Sequence, residues 1–244
     1  IVMYPSTDAT IGEIFAADGA AGIWSSYIRY IGAGALAAGG IISLIKSLPL
    51  IVRTFKDAIK SMSVKGEVSA LRTDKDINMA FVISFIVLLT LIVWLVPAIP
   101  VSPIGAVIVV VFGFFFATVS SRMVGIVGSS NNPVSGMAIA TLLISTLILK
   151  FTGTVGAPGM QAAIAIGSII CIVAAIAGDT SQDLKTGYLL GATPWKQQIG
   201  EVIGVVASAL AIGGTLYLLD SAWGFGSDEL GAPQATLMKM IVEG

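Results

Sequence analysis

Two polar stretches hold the side chains that could do chemistry. The first runs Ser129-Ser130-Asn131-Asn132-Pro133, with Gly125 and Gly128 before it and Ser135 and Gly136 after it. Asn side chains offer amide donors and carbonyl acceptors, which suit a peptide backbone. Pro133 lacks an N–H and biases Asn132 away from helical angles, and the glycines permit angles that other residues resist. Freed backbone groups and two amides are expensive in hydrocarbon unless protein or a water-filled cavity surrounds them. A broken helix of this kind points to a transporter's binding site, so Ser130, Asn131, Asn132, Pro133, Ser135 and Gly136 are candidate substrate-binding residues. The same pattern also fits a short aqueous loop between two spanning helices, with Asn131 and Asn132 capping the second.

The second stretch is Gly178–Glu201. Asp179 and Asp183 are one helical turn apart and share a face. Gln182, Lys185 and Thr186 lie among them, and Glu201 follows. A charge near hydrocarbon is costly and is usually buried in a bundle, paired or functional. Gln182 and Lys185 are candidates to bind substrate, with Lys185 meeting a carboxylate; Asp183, Glu201 and Asp179 are candidates to exchange protons. Asp183 and Lys185 are too close in sequence to face each other on a regular helix. Gly178, Gly187, Gly191 and Pro194 therefore predict a bend that dips the stretch toward a pathway from the cytoplasmic side. The competing reading is a cytoplasmic loop with solvated charges.

The elements that must position these stretches are membrane helices. Hydrophobic residues make up 56% of the chain and charged ones 11%, with no histidine. This balance, with a net charge of −1, excludes a nucleic-acid partner. Cys171 is the single cysteine, which excludes a disulfide framework and a Cys-based metal site. No cofactor is implied. The chain lacks a signal peptide and reads as an internal piece of a longer protein, a single transmembrane domain over 1–244.

Spans are expected at Ile28–Val52, Ile77–Val96, Ile104–Val124, Val134–Phe151, Met160–Ala177 and Gln198–Leu219, with a further helix beginning at Pro233. The expected fold is all-α: a polytopic integral membrane bundle with broken helices, about six or seven of them in this chain. Residues 1–28 read as the end of an earlier helix or an interfacial segment. Small residues recur at one-turn intervals at Ala35, Gly39, Ser43 and Ser47, at Ala163, Gly167, Cys171 and Ala175, and at Gly200, Gly204 and Ser208, so these faces can pack closely. Glu201 sits beside the last of them and should point inward. The span at Ile77–Val96 is nearly pure Val, Ile, Leu and Phe and should face lipid. Thr141, Ser145 and Thr146 can bond back to their own helix. Pro97 to Pro103 and Thr152 to Gly159 read as loops.

Residues 53–76 form the one long charged stretch. It reads as a solvated cytoplasmic loop, with FKDAIKSM as an alternative surface helix. Alternating the spans places 53–76, 122–133 and 178–199 on one side. That side carries Arg53, Lys56, Lys60, Lys65, Arg72, Lys75, Arg122, Lys185 and Lys196, nine of the thirteen basic residues, and should be cytoplasmic. The opposite loops carry none.

A membrane-embedded enzyme would need a catalytic set that the missing histidines and sparse acids do not supply. An ion-pumping pyrophosphatase would need dense Asp clusters for its metal and phosphate. A passive channel stays open. Two segments, GIVGSSNNPVSGMAIATLL and GDTSQDLKTGYLLGATPWKQQIGEVIG, resemble the oligopeptide transporter (OPT) family, which includes the yellow-stripe-like metal-chelate transporters. The tail GAPQATLMKMIVEG is similar to the family's bacterial members. The likeness runs from about Tyr30 to the end and is most specific at Gln182-Asp183-Leu184-Lys185-Thr186-Gly187. It implies a secondary transporter in the cell membrane, coupled to protons, that takes up small peptides or peptide-like metal chelates. It also implies further helices that complete the bundle within the bilayer.

Overall fold

The computed structural model describes residues 10–32, 71–227 and 229–232, with isolated positions between 34 and 53 and between 235 and 242. Among the described residues all regular structure is helical. The first expected span, most of the 53–76 loop and the helix at Pro233 lie largely outside them.

Helix α1, Ile11–Ile23, opens with a reciprocal cap between Thr10 and Glu13 and leads into a π-helical turn, Trp24–Ile28. The Thr10 backbone N–H and hydroxyl both donate to the Glu13 carboxylate and hold its pKa below the ordinary value. Five helices follow: α2 (Met79–Leu95), α3 (Pro103–Val127), α4 (Val134–Phe151), α5 (Gly156–Leu190) and α6 (Pro194–Trp223). Each of these five segments, the first counted from Arg72, is long and apolar enough to cross a membrane.

Their boundaries follow from local chemistry. Ser102 accepts from the Gly105 N–H, and Pro103 occupies the first turn of α3, where a missing N–H costs nothing. Gly128, at φ 82°, ends that helix. Asn78 caps α2 through the Ala80 N–H. Gly191, at φ 71° and ψ 29°, closes α5, and Pro194 starts α6.

The core lies where α5 packs between α3 and α4. Phe116 and Val119 on α3, Met137, Ala140 and Leu142 on α4, and Ala163, Ile166, Ile170 and Ala174 on α5 are buried together. Lipid tails are as apolar as leucine, so close packing and hydrogen bonds hold these helices, rather than escape from water. At Gly167 a Cβ would lie 2.8 Å from Leu142 Cδ2, so the expected small-residue face serves as a contact there. Helices α2 and α6 contribute no buried residue, in keeping with a lipid-facing α2. Thr141 and Ser145 bond back to Met137 and Leu142 of their own helix, whereas the buried Thr146 hydroxyl has no partner among the described residues.

Helix α5 differs from expectation. It begins at Gly156, inside the expected loop, and continues past Ala177 without a bend at Gly178 or Gly187. Its 35 residues extend about 52 Å at 1.5 Å per residue, against a hydrocarbon thickness of about 30 Å. The polar end of α5 therefore projects beyond the hydrocarbon. Water can satisfy its outward Asp, Gln and Lys side chains, so polarity alone does not stop the helix.

Candidate functional site

The Ser129–Pro133 break is a turn between two antiparallel helices. After Gly128 the chain makes one 3-10 turn, Ser129–Asn131, and α4 starts at Val134 without a side-chain cap. Asn132 does not cap that helix. Its amide donates to Ser120 Oγ at 2.7 Å and, more weakly, to the Ala174 carbonyl at 3.4 Å. The Ser120 hydroxyl also donates to Ala174 O. Ser121 Oγ donates to Ala177 O at 3.1 Å, and Ser181 Oγ to Ser121 O at 3.1 Å. Gly178 makes the approach possible: a Cβ there would lie 2.8 Å from both Asn132 Nδ2 and Val124 Cγ2. Ser130 and Ser135 are exposed at this end, and Pro133 and Gly136 are half-buried.

The carboxylates occupy a different face. A groove of about 690 Å³ runs between α5 and α6. Asp179, Thr180 and Asp183 of α5 and Glu201 of α6 form its polar end. Below them it is lined by small and apolar residues, including Ile176, Gly204, Ser208 and Gly213. Thr180 Oγ1 donates to Glu201 Oε2 at 2.7 Å. Glu201 Oε1 is buried without a hydrogen-bond partner among the described residues. No Lys or Arg lines the groove among the described residues. Such a pocket suits a cationic group and repels a free carboxylate.

Successive helical residues turn by about 100°. Ala174, Gly178 and Ser181 therefore form one side of α5, against α3 and the turn, while Ile172, Ile176, Asp179 and Asp183 form the opposite side. Asn132 and Glu201 meet the same length of α5 from opposite faces. Gln182 and Lys185 are exposed and do not line the groove. Lys185 Nζ instead lies 5.2 Å from the Tyr188 ring centroid, in cation–π range. Asp179, Asp183 and Glu201 are thus brought together, and Lys185 is held apart from them.

Sequence reasoning missed Thr180, Ser120 and Gln197. Gln197 donates to the Asp183 carbonyl at 3.2 Å and lies where a Gly187 Cβ would be. Thr180 was visible beside Asp179, but its partner Glu201 sits across a helical turn that spacing alone does not close. Among the described residues no group of three or more His, Cys, Asp or Glu side chains could hold a metal ion.

Residues 72–77 and 191–198, both expected on one side, meet at one end. Arg72 bonds to Gly191 and Thr193, and the Trp195 N–H donates to Lys75 O at 3.2 Å. That end also carries the polar end of α5.

Residues 11–244 match the model of the OPT oligopeptide transporter protein family. A Haemophilus influenzae protein named "Putative oligopeptide transporter" is 32% identical over 259 residues, covering 93% of this chain and 41% of that protein. A Saccharomyces cerevisiae protein of the same description is 31% identical over 141 residues, covering 57% of this chain and 19% of its own length. The chain therefore spans about two fifths of the length of the bacterial relative. No solved structure matches the chain. With a family match over nearly its whole length and five helices fit to cross a membrane, the chain belongs to the OPT oligopeptide transporter family of multi-pass membrane proteins.

Proposed function

We propose that the chain is part of a secondary active transporter, not an enzyme, that moves oligopeptides or peptide-like metal chelates across the cell membrane together with protons moving down their gradient. The groove between α5 and α6 is its working site. One observation carries the reading: Glu201 presents a buried, unpartnered carboxylate oxygen beside Asp179 and Asp183, in a groove that no cation lines among the described residues. Carboxylates placed this way suit a proton that travels with the cargo. The relatives' names support a peptide cargo. The family resemblance supports proton coupling and extends the cargo to metal chelates.

In this arrangement Asp183, Glu201 and Asp179 carry the proton at the mouth of the groove. The Ser129–Pro133 turn holds α3 and α4 against the back of α5. Ser130 and Ser135, exposed at the same end, are placed to meet substrate entering from that side. The test is uptake by the full-length parent, with di- to tetrapeptides and a ferric chelate compared side by side, in the presence and absence of a proton gradient. Uptake of either cargo that collapses with the gradient supports the reading. Conductance that ignores the gradient would instead identify a passive channel.

A further inference from the structure

The angle between α5 and α6 sets how far Glu201 stands from Asp179 and Asp183, and little within the hairpin fixes it. The connection is Gly191–Thr193, α6 has no buried residue, and the hairpin's own side-chain bonds are Thr180 to Glu201 and Gln197 to the Asp183 carbonyl.

A segment far away in sequence grips this hinge. The Arg72 guanidinium donates to the Gly191 carbonyl at 2.7 Å and to Thr193 Oγ1 at 2.8 Å. Thr193 is buried. The Lys75 carbonyl accepts from the Trp195 N–H at 3.2 Å, and the Ile77 N–H donates to Gln198 Oε1 at 3.3 Å. These bonds reach Gly191, which caps α5, the turn after it, and the first residues of α6. They come from the 72–77 segment, which leads directly into α2.

We propose that Arg72 is a positioning residue, a strap that sets the opening of the α5–α6 groove and couples it to α2. The planar guanidinium fork suits two acceptors fixed on a bent backbone, which a lysine cannot match. Arg72 is exposed, so water can replace its bonds when the strap releases. The proposal rests on the groove being the working site, but its test does not depend on transport.

The experiment places spin labels at Ser168 on α5 and Leu210 on α6, neither of which lines the groove and both remote from the hinge, in the full-length transporter lacking other reactive cysteines. Distances are then read by dipolar spectroscopy. Arg72→Gln should lengthen or broaden the distance distribution by roughly 2 Å or more, the scale of helix shifts at packed interfaces. Thr193→Val should do the same, and Arg72→Lys should fall between wild type and Arg72→Gln. An unchanged distribution in Arg72→Gln and Thr193→Val overturns the proposal. If one variant fails to reach the membrane, the other carries the test. Loss of both from the membrane also overturns it, because the contacts would then hold the fold rather than the groove. A shifted distance in a protein that transports nothing would leave the strap standing and remove the proposed function; gradient-driven uptake with unshifted distances would do the reverse.

Discussion

Asn132 donates its side-chain amide to the hydroxyl of Ser120 at 2.7 Å, closing the turn between α3 and α4 back onto α3, with a weaker bond to Ala174 O of α5. Hydrogen bonds between membrane helices average about 0.6 kcal/mol and rarely exceed about 1.7 kcal/mol. Asn132→Ala should therefore lower thermal stability in detergent by a modest amount, about 0.5–2 kcal/mol, and leave the protein in the membrane. Ser120→Ala should add little to it in the double variant, because both changes remove one network. Full additivity in thermal melts would show that the two residues act independently.

Gly178 is the notch that admits this turn. A Cβ there would lie 2.8 Å from Asn132 Nδ2 and Val124 Cγ2 and 3.0 Å from Ser120 Oγ, whereas a Cβ at Gly125 would meet nothing within 4 Å. Gly178→Ala should cost about 1–3 kcal/mol by overpacking. Gly125→Ala, in the interior of α3, should be neutral or stabilising by up to about 1 kcal/mol. Parallel melting curves of the two variants check the contrast, and equal effects would remove the notch.

Much of the architecture was legible because proline, glycine and hydropathy act locally. Val134–Phe151 was read with its observed ends, since Pro133 and the Gly153 turn bracket it. The start of α6 at Pro194, four residues before the expected Gln198, follows from a proline being welcome in a first turn. The long polar end of α5 was misread as a bent stretch because its glycines were taken for bends. The stop signal was Gly191, and Gly178 and Gly187 were contacts rather than bends. The groove was half legible: Asp179 and Asp183 on one face follow from spacing, and Glu201 follows from the small face of its helix. That Asn132 and Glu201 approach α5 from opposite sides depends on which neighbours pack where, and a single sequence does not carry that. The hold of Arg72 on Gly191 and Thr193, across more than a hundred residues, is of the same kind.

The proposed side assignment rests on the basic residues of the loops. A cysteine at Asp76 should react with an impermeant maleimide only from the cytoplasmic side, and one at Glu229 only from the opposite side. Reaction of both from one side would remove a span between them.

The central claim is that the carboxylates of the α5–α6 groove exchange the coupling proton. The most direct measurement compares gradient-driven uptake with exchange of bound substrate, using the full-length transporter in proteoliposomes. Glu201→Gln and Asp183→Asn should each lower gradient-driven uptake by roughly tenfold or more, the loss expected when an interaction of about 1.4 kcal/mol is removed, while exchange continues. Gradient-driven uptake at the wild-type level, with wild-type pH dependence, in a protein carrying Asp179→Asn, Asp183→Asn and Glu201→Gln together would contradict the account.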